Sequence, residues 1–423
     1  MNMTRRYFLK TTGALATYCG VAPIRLLADT PATAPKVHAG KTLVVIFLRG
    51  GVDGLNLIVP FAEAPYYELR RSLAIAEPGK PDGALDLDGS FGLHPRGAAL
   101  MPLFQSGQLA ALHAVGYDKN TRSHFEEQDV WETGVVGNTV HSDGWLNRHL
   151  ATSQGRGVIR AVSIGDSLPR ILRGKAPAYA FRGLTDLAMP DAGGNQDTVA
   201  AALEHAYCAD PKQHTAAARD LLAQTASTTL EGLRVLNSVA SQKYESKAKY
   251  PETPLGRAMQ TVARLVRANI GLEVAEVDYG GWDTHNNQGG AGGPYGNLVQ
   301  GLAESLAAFA ADLEGRMDDV LLVTMSDFGR TAAENGSRGT DHGWANCMLA
   351  LGGPVSKAGN GKPRKVIANW PGLAKEKLHE GRDLLHTTDF RDVFAELVRV
   401  HLGNPHLETV LPQHQFKPVG LIA

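Results

Sequence analysis

Six short apolar runs, each closed by glycine or a polar residue, set what this 423-residue chain can fold into. They read KTLVVIFLRGG (41–51), QLAALHAVG (108–116), VIRAVSIGD (158–166), LEVAEVD (272–278), DVLLVTMSD (319–327) and NCMLALGG (346–353). A strand that is apolar on both faces belongs in a sheet covered on both sides, the setting of parallel sheets. Helical patterns lie between the runs. In 295–314, Leu298, Leu302, Leu306 and Phe309 share one side. Strand and helix alternate, so the fold class is α/β, a mostly parallel central sheet flanked by helices. Residues 197–247 break the alternation. They are Ala-rich and read as a helical insertion within a single α/β domain spanning 41–423. Residues 386–403 predict a helix capped by Thr387 or Thr388, with Val393, Leu397 and Val400 toward the core.

The N-terminus carries a different signal. TRRYFLK (4–10) pairs Arg5 with Arg6 ahead of Phe8 and Lys10, and resembles the twin-arginine export motif. The mildly apolar stretch 11–24 is too short and too broken to span a membrane. The reading is a signal peptide over 1–28, with cleavage after Ala28 or Ala34, and a Pro/Ala/Thr-rich linker over 29–40. It implies the twin-arginine translocase as a partner, a periplasmic or extracellular location, and no membrane span after cleavage. A formal net charge of −1 offers no lure for nucleic acid. Of the three cysteines, Cys19 falls in the leader, and Cys208 and Cys347 form no CxxC.

Ligands gather at the carboxyl ends of strands in open parallel sheets. Several chemically capable residues follow the apolar runs. In GGWDTHNNQ (280–288), Asp283 and His285 stand one residue apart. Extended backbone would aim both at one point, as a metal requires; a polar loop would only cap and hydrogen-bond. Asp53, in RGGVDGLN, reads equally as a ligand or a turn cap. In NTRSHFEEQ, Thr121 or Ser123 is a nucleophile or a helix cap, and Ser123–Glu126 fits a capping box. Arg122 grips an anion or is a surface charge, and His124 is a ligand or a packed helix residue. Asp327 closes its strand beside Arg330, which either pairs with it or stabilises transition-state charge. In GTDHGWAN (339–346), His342 reads as a ligand, with Asp341 orienting it.

Taken in order, LVVIFLRGGVDGLNLIVP, RSHFEEQDVWETG, DTHNNQ, SDFGRT, DHGWAN and TTDFRDVFAELV resemble the bacterial family called domain of unknown function 1501. That family is similar to the alkaline phosphatase and sulfatase superfamily. The resemblance implies a sheet sandwiched by helices, one or two divalent metals at the strand ends, and a hydroxyl nucleophile acting on a small anionic phosphate or sulfate ester. By position it implies Asp53, Asp283, His285, Asp327 and His342 as metal ligands, and Ser123 or Thr121 as nucleophile. Phe328 stands where the second metal expects a histidine. One divalent ion (zinc, manganese or calcium), or none, is therefore expected rather than two. The function implied is an exported metal-dependent hydrolase; the alternative is a binding or assembly protein of the cell envelope that has lost catalysis.

Overall fold

Each of the six apolar runs forms a strand in the computed structural model, which describes residues 40–137, 141–155, 157–184 and 216–423. These strands are β1 (Thr42–Leu48), β5 (Leu109–Gly116), β6 (Ala161–Ile164), β8 (Val274–Tyr279), β9 (Val320–Met325) and β10 (Asn346–Gly352). Two short edge strands, β7 (Tyr179–Phe181) and β11 (Thr388–Asp389), complete an eight-stranded sheet ordered β11-β5-β10-β9-β1-β8-β6-β7. A small second sheet holds β2 (Ile58–Val59), β3 (Leu85–Asp86) and β4 (Gly92–Leu93). The leader, nearly all of the linker and residues 197–215 of the insertion lie outside the described residues.

Every pairing in the large sheet is parallel except those of β10, which runs antiparallel to both β5 and β9. This reversal matters for the site. The segment joining β9 to β10 stays at the carboxyl end of the sheet, because β10 starts where β9 stops.

Alternating side chains explain the two-sided burial. Val44, Ile46 and Leu48 enter one core, while Leu43, Val45 and Phe47 enter the other. The longer helices are α1 (His124–Thr133), α2 (Trp145–Thr152), α3 (Ala216–Ser241), α4 (Pro254–Ala268) and α5 (Gly293–Asp312). Helices α4 and α5 cover the first face, joined by Leu236 and Val239 of α3. Trp131 of α1 and Trp145 of α2 pack on the second face against Phe390 and Phe394. No helix among the described residues is long and apolar enough to cross a membrane.

The C-terminal helix departs from the expectation. Its cap is Asp389, which accepts from the Arg391 amide, rather than Thr387 or Thr388. A π-turn over Leu397–His401 then adds a residue to the turn and rotates the face. Val393 and Leu397 are buried as expected, but Val398 and His401 take the inner positions and Val400 is exposed.

Candidate metal centre

Three loops and one helix start meet at the carboxyl ends of β1, β8 and β9. His124 opens α1, Asp283 and His285 follow β8, and His342 precedes β10. Ligand atoms of His124, Asp283 and His342 all lie within 4.8 Å of one another. Asp283 Oδ1 lies 3.0 Å from His285 Nε2, 3.2 Å from His342 Nε2 and 3.5 Å from His124 Nε2. His285 Nε2 and His342 Nε2 are 3.0 Å apart.

The far side of each ring fixes its tautomer. His124 Nδ1 meets Asp327 Oδ2 at 2.5 Å, His285 Nδ1 meets Asp341 Oδ1 at 3.0 Å, and His342 Nδ1 meets the Arg122 carbonyl at 2.8 Å. All three partners are acceptors, so each Nδ1 carries the proton. In the neutral rings, three Nε2 lone pairs then face one carboxylate oxygen. Acceptors repel at such distances unless a cation or extra protons sit among them. A tetrahedral ion with bonds of 2.0–2.2 Å separates its ligands by about 3.3 Å. The observed separations bracket that value, and His124 Nε2 is buried without a hydrogen-bond partner. His124, Asp283 and His342 fit a single divalent cation, with His285 Nε2 alongside, 3.0 Å from both Asp283 Oδ1 and His342 Nε2.

The surrounding charges are tuned around Asp283. Burial works to raise its carboxyl, but the Arg330 bond and charge, with His285 and His124, hold it below the ordinary range. The hydrogen bond that His124 donates to Asp327 raises the imidazole's pKa against its burial. Burial lowers His342, and the charges of His124 and Arg330 add to that.

Several residues expected at the site have other roles. Asp327 is not placed as a ligand. Its Oδ1 accepts from the Gly50 and Gly51 amides and Ser326 Oγ, and its Oδ2 accepts from Gln128 and faces His124. It orients a ring instead. Asp53 is fully buried in a 2.6 Å ion pair with Arg70 and also accepts from Gln288. Arg330 is nearly saturated by groups of the fold. It donates to the Gly50, Gly51, Trp282 and Thr340 carbonyls and, at 2.6 Å, to Asp283 Oδ1, while Nη1 also faces His285 Nε2. Arg122 is tied to Asp383 and Glu380 and lies over Trp344. Its contribution is its carbonyl, presented from a left-handed backbone at φ 61°. Asp341 orients a histidine, but His285 rather than its neighbour His342.

Thr121 Oγ1 is committed to Glu127. Ser123 caps α1 only through its carbonyl and makes no side-chain cap bond, so the capping box is not formed. Phe328 is buried with its ring 4.6 Å from His124 and 4.7 Å from His342, forming the floor of the cluster. His124 was the ligand candidate hardest to see, because RSHFEE is also an ordinary helix start.

No curated protein sequence matches the chain. Among solved structures, the C-terminal periplasmic domain of EcEptC from Escherichia coli, in complex with Zn, aligns at 10% identity and a TM-score of 0.32, over 79% of this chain and 78% of that one. The PsFucS1 sulfatase from Pseudoalteromonas sp. aligns at 12% identity and 0.32, over 74% of this chain and 62% of that one. Likenesses this slight assign no residue a role. The sequence match is firmer: the model described as Protein of unknown function (DUF1501) covers residues 108–403, more than half of the chain, and the protein belongs to that family.

Proposed function

We propose that the protein is an exported, metal-dependent hydrolase acting on phosphate or sulfate esters. The observation that carries this reading is the convergence of three tautomer-fixed Nε2 atoms on Asp283 Oδ1. His124, His285, His342 and Asp283 would hold the ion, with Asp327, Asp341 and the Arg122 carbonyl orienting the rings. A divalent ion there supplies the charge that polarises an ester oxygen and activates a hydroxyl or water. Ser123, next to His124 and free of a capping bond, would be the nucleophile or an anion anchor. Arg330 fixes the Asp283 carboxylate. Export rests on the Arg5–Arg6 leader.

Arg330 also favours a second reading. Its guanidinium already neutralises Asp283, so the cluster could persist as a binding surface in a protein without catalysis. Elemental analysis of the purified protein beside a His124→Ala, His342→Ala double variant separates the two. About one equivalent of zinc, manganese or calcium, lost in the variant, is the expected result. No metal in either protein, even when metal is supplied during folding, would leave the binding-protein reading.

A further inference from the structure

His124, Gln128 and Glu132 are spaced four residues apart on α1 and so lie along one face of it. Gln128 stands between two elements of the sheet's carboxyl end. Its Nε2 donates to Asp327 Oδ2 at 3.1 Å, and its Oε1 accepts from Arg49 Nη1 at 3.0 Å. A guanidinium can only donate, and the carboxylate oxygen that meets His124 Nδ1–H accepts. The two neighbours therefore leave the Gln128 amide a single orientation.

Arg49 is held in turn. It follows β1, lies over the Phe47 ring at 4.2 Å, pairs with Glu132 at 2.9 Å and donates through Nε to Asp278 in β8. Contacts thus run from β1 and β8 through Arg49, Gln128 and Asp327 to the His124 ring. At the Asp327 carboxylate, Oδ1 is pinned by the Gly50 and Gly51 amides and Ser326 Oγ. Among the described residues, Gln128 is the only donor to Oδ2 besides His124 itself. Without it, the ring that Oδ2 orients would be all that sets the position of Oδ2.

We infer that Gln128, aligned by Arg49, is a positioning residue of the metal centre: it fixes Asp327 Oδ2 where His124 Nδ1–H points, so that His124 Nε2 faces Asp283 and His342. This rests on the metal-dependent reading above and adds to it a residue that supplies no ligand atom. Partners behind a metal ligand change metal affinity by about 10–100-fold. Gln128 acts one bond further back, through Asp327, so the lower end, about tenfold, is its expected effect. A half-buried glutamine that only filled space could give way to an apolar side chain of similar length without loss of metal.

The test measures zinc affinity of the full chain by competition with chelator dyes of graded strength. Wild type is compared with Gln128→Leu, Gln128→Met, His124→Ala and the Gln128→Leu, His124→Ala double variant. Leu and Met suit a helix and keep most of the side-chain volume, so two independent variants remove the amide with little change in shape. The expected result is a loss of about tenfold in each Gln128 variant. In the His124→Ala background, where no ring is left to orient, Gln128→Leu should change affinity by less than about twofold. Gln128 variants that bind zinc as tightly as wild type, while His124→Ala binds it more weakly, overturn the positioning role and leave the metal centre standing. A loss of equal size with and without His124 also overturns it, since Gln128 would then act on the fold at large. A wild type that binds no zinc, or that His124→Ala matches in affinity, overturns the metal centre as drawn and this inference with it.

Discussion

Asp53 and Asp327 both follow apolar strands, and nothing local in the sequence separates their fates. Asp53 meets Arg70, 17 residues on, in a fully buried pair. Asp327 meets His124, 203 residues back. Removing one partner of a buried pair strands the other, at about 3–5 kcal/mol. Asp53→Ala should therefore lower the unfolding free energy by that amount, read from urea titrations, while leaving the metal content unchanged. Asp327→Asn keeps an oxygen for the Gly50 and Gly51 amides but turns an amide toward His124 Nδ1–H. It should weaken metal affinity by about 10–100-fold, measured by competition with a chelator dye, with little loss of stability. These contrasts explain what could be read from sequence. Asp283, His285 and His342 stood out because each sits in a Gly-rich loop after or before a strand. His124 and the partners of each ring depended on contacts across 56 to 220 residues, which no local pattern carries.

At the scale of elements, apolar runs located the long strands well because two-sided burial demands them. The short strands β7 and β11, two or three residues at the sheet edges, left no such run. The direction of β10 was equally hidden, because an apolar strand looks alike in either sense. The turn after β1 shows how an element shapes the site. Gly51 adopts φ +70°, and a Cβ there would come within 2.7 Å of the Phe328 ring. At Gly50, φ +116°, it would come within 2.6 Å of the Asp283 amide. Only glycine lets this turn press against the floor of the histidine cluster. Gly51→Ala should cost at least about 1 kcal/mol in urea unfolding, from backbone strain and contact together. It should also lower metal affinity, since Phe328 must move and both His124 and His342 rest on it. Unchanged affinity would show that the ring positions do not depend on this floor.

For the whole molecule, buried groups outside the cluster add their own dependence of stability on pH. His94, His113 and His401 are each buried, and burial lowers each to about 4 from an ordinary 6.5. Their hydrogen bonds suit the neutral ring. His113 donates to the Ile58 carbonyl and accepts from the Ala114 amide, and His94 is held likewise between Gly290 and Arg96. Between pH 6.5 and 4 the unfolded chain binds these protons and the folded one does not. Stability from the three rings is thus fully present above 6.5 and is lost as pH falls toward 4, up to roughly 3 kcal/mol for each ring. Glu276 opposes them. Burial, then Asp278, holds its carboxyl well above the ordinary value, despite a bond from Ser163. Above about pH 4.5 the unfolded chain releases a proton that the folded one keeps, so stability from this group declines as pH rises. The observed slope is the difference between the two effects, which is why variants test it better than the wild type alone. Urea midpoints from pH 4.5 to 6.5 should fall less steeply on acidification in His113→Gln, by close to one proton. In Glu276→Gln they should fall more steeply by a similar amount. Parallel profiles for all three proteins would mean that neither group carries its shifted affinity into the fold.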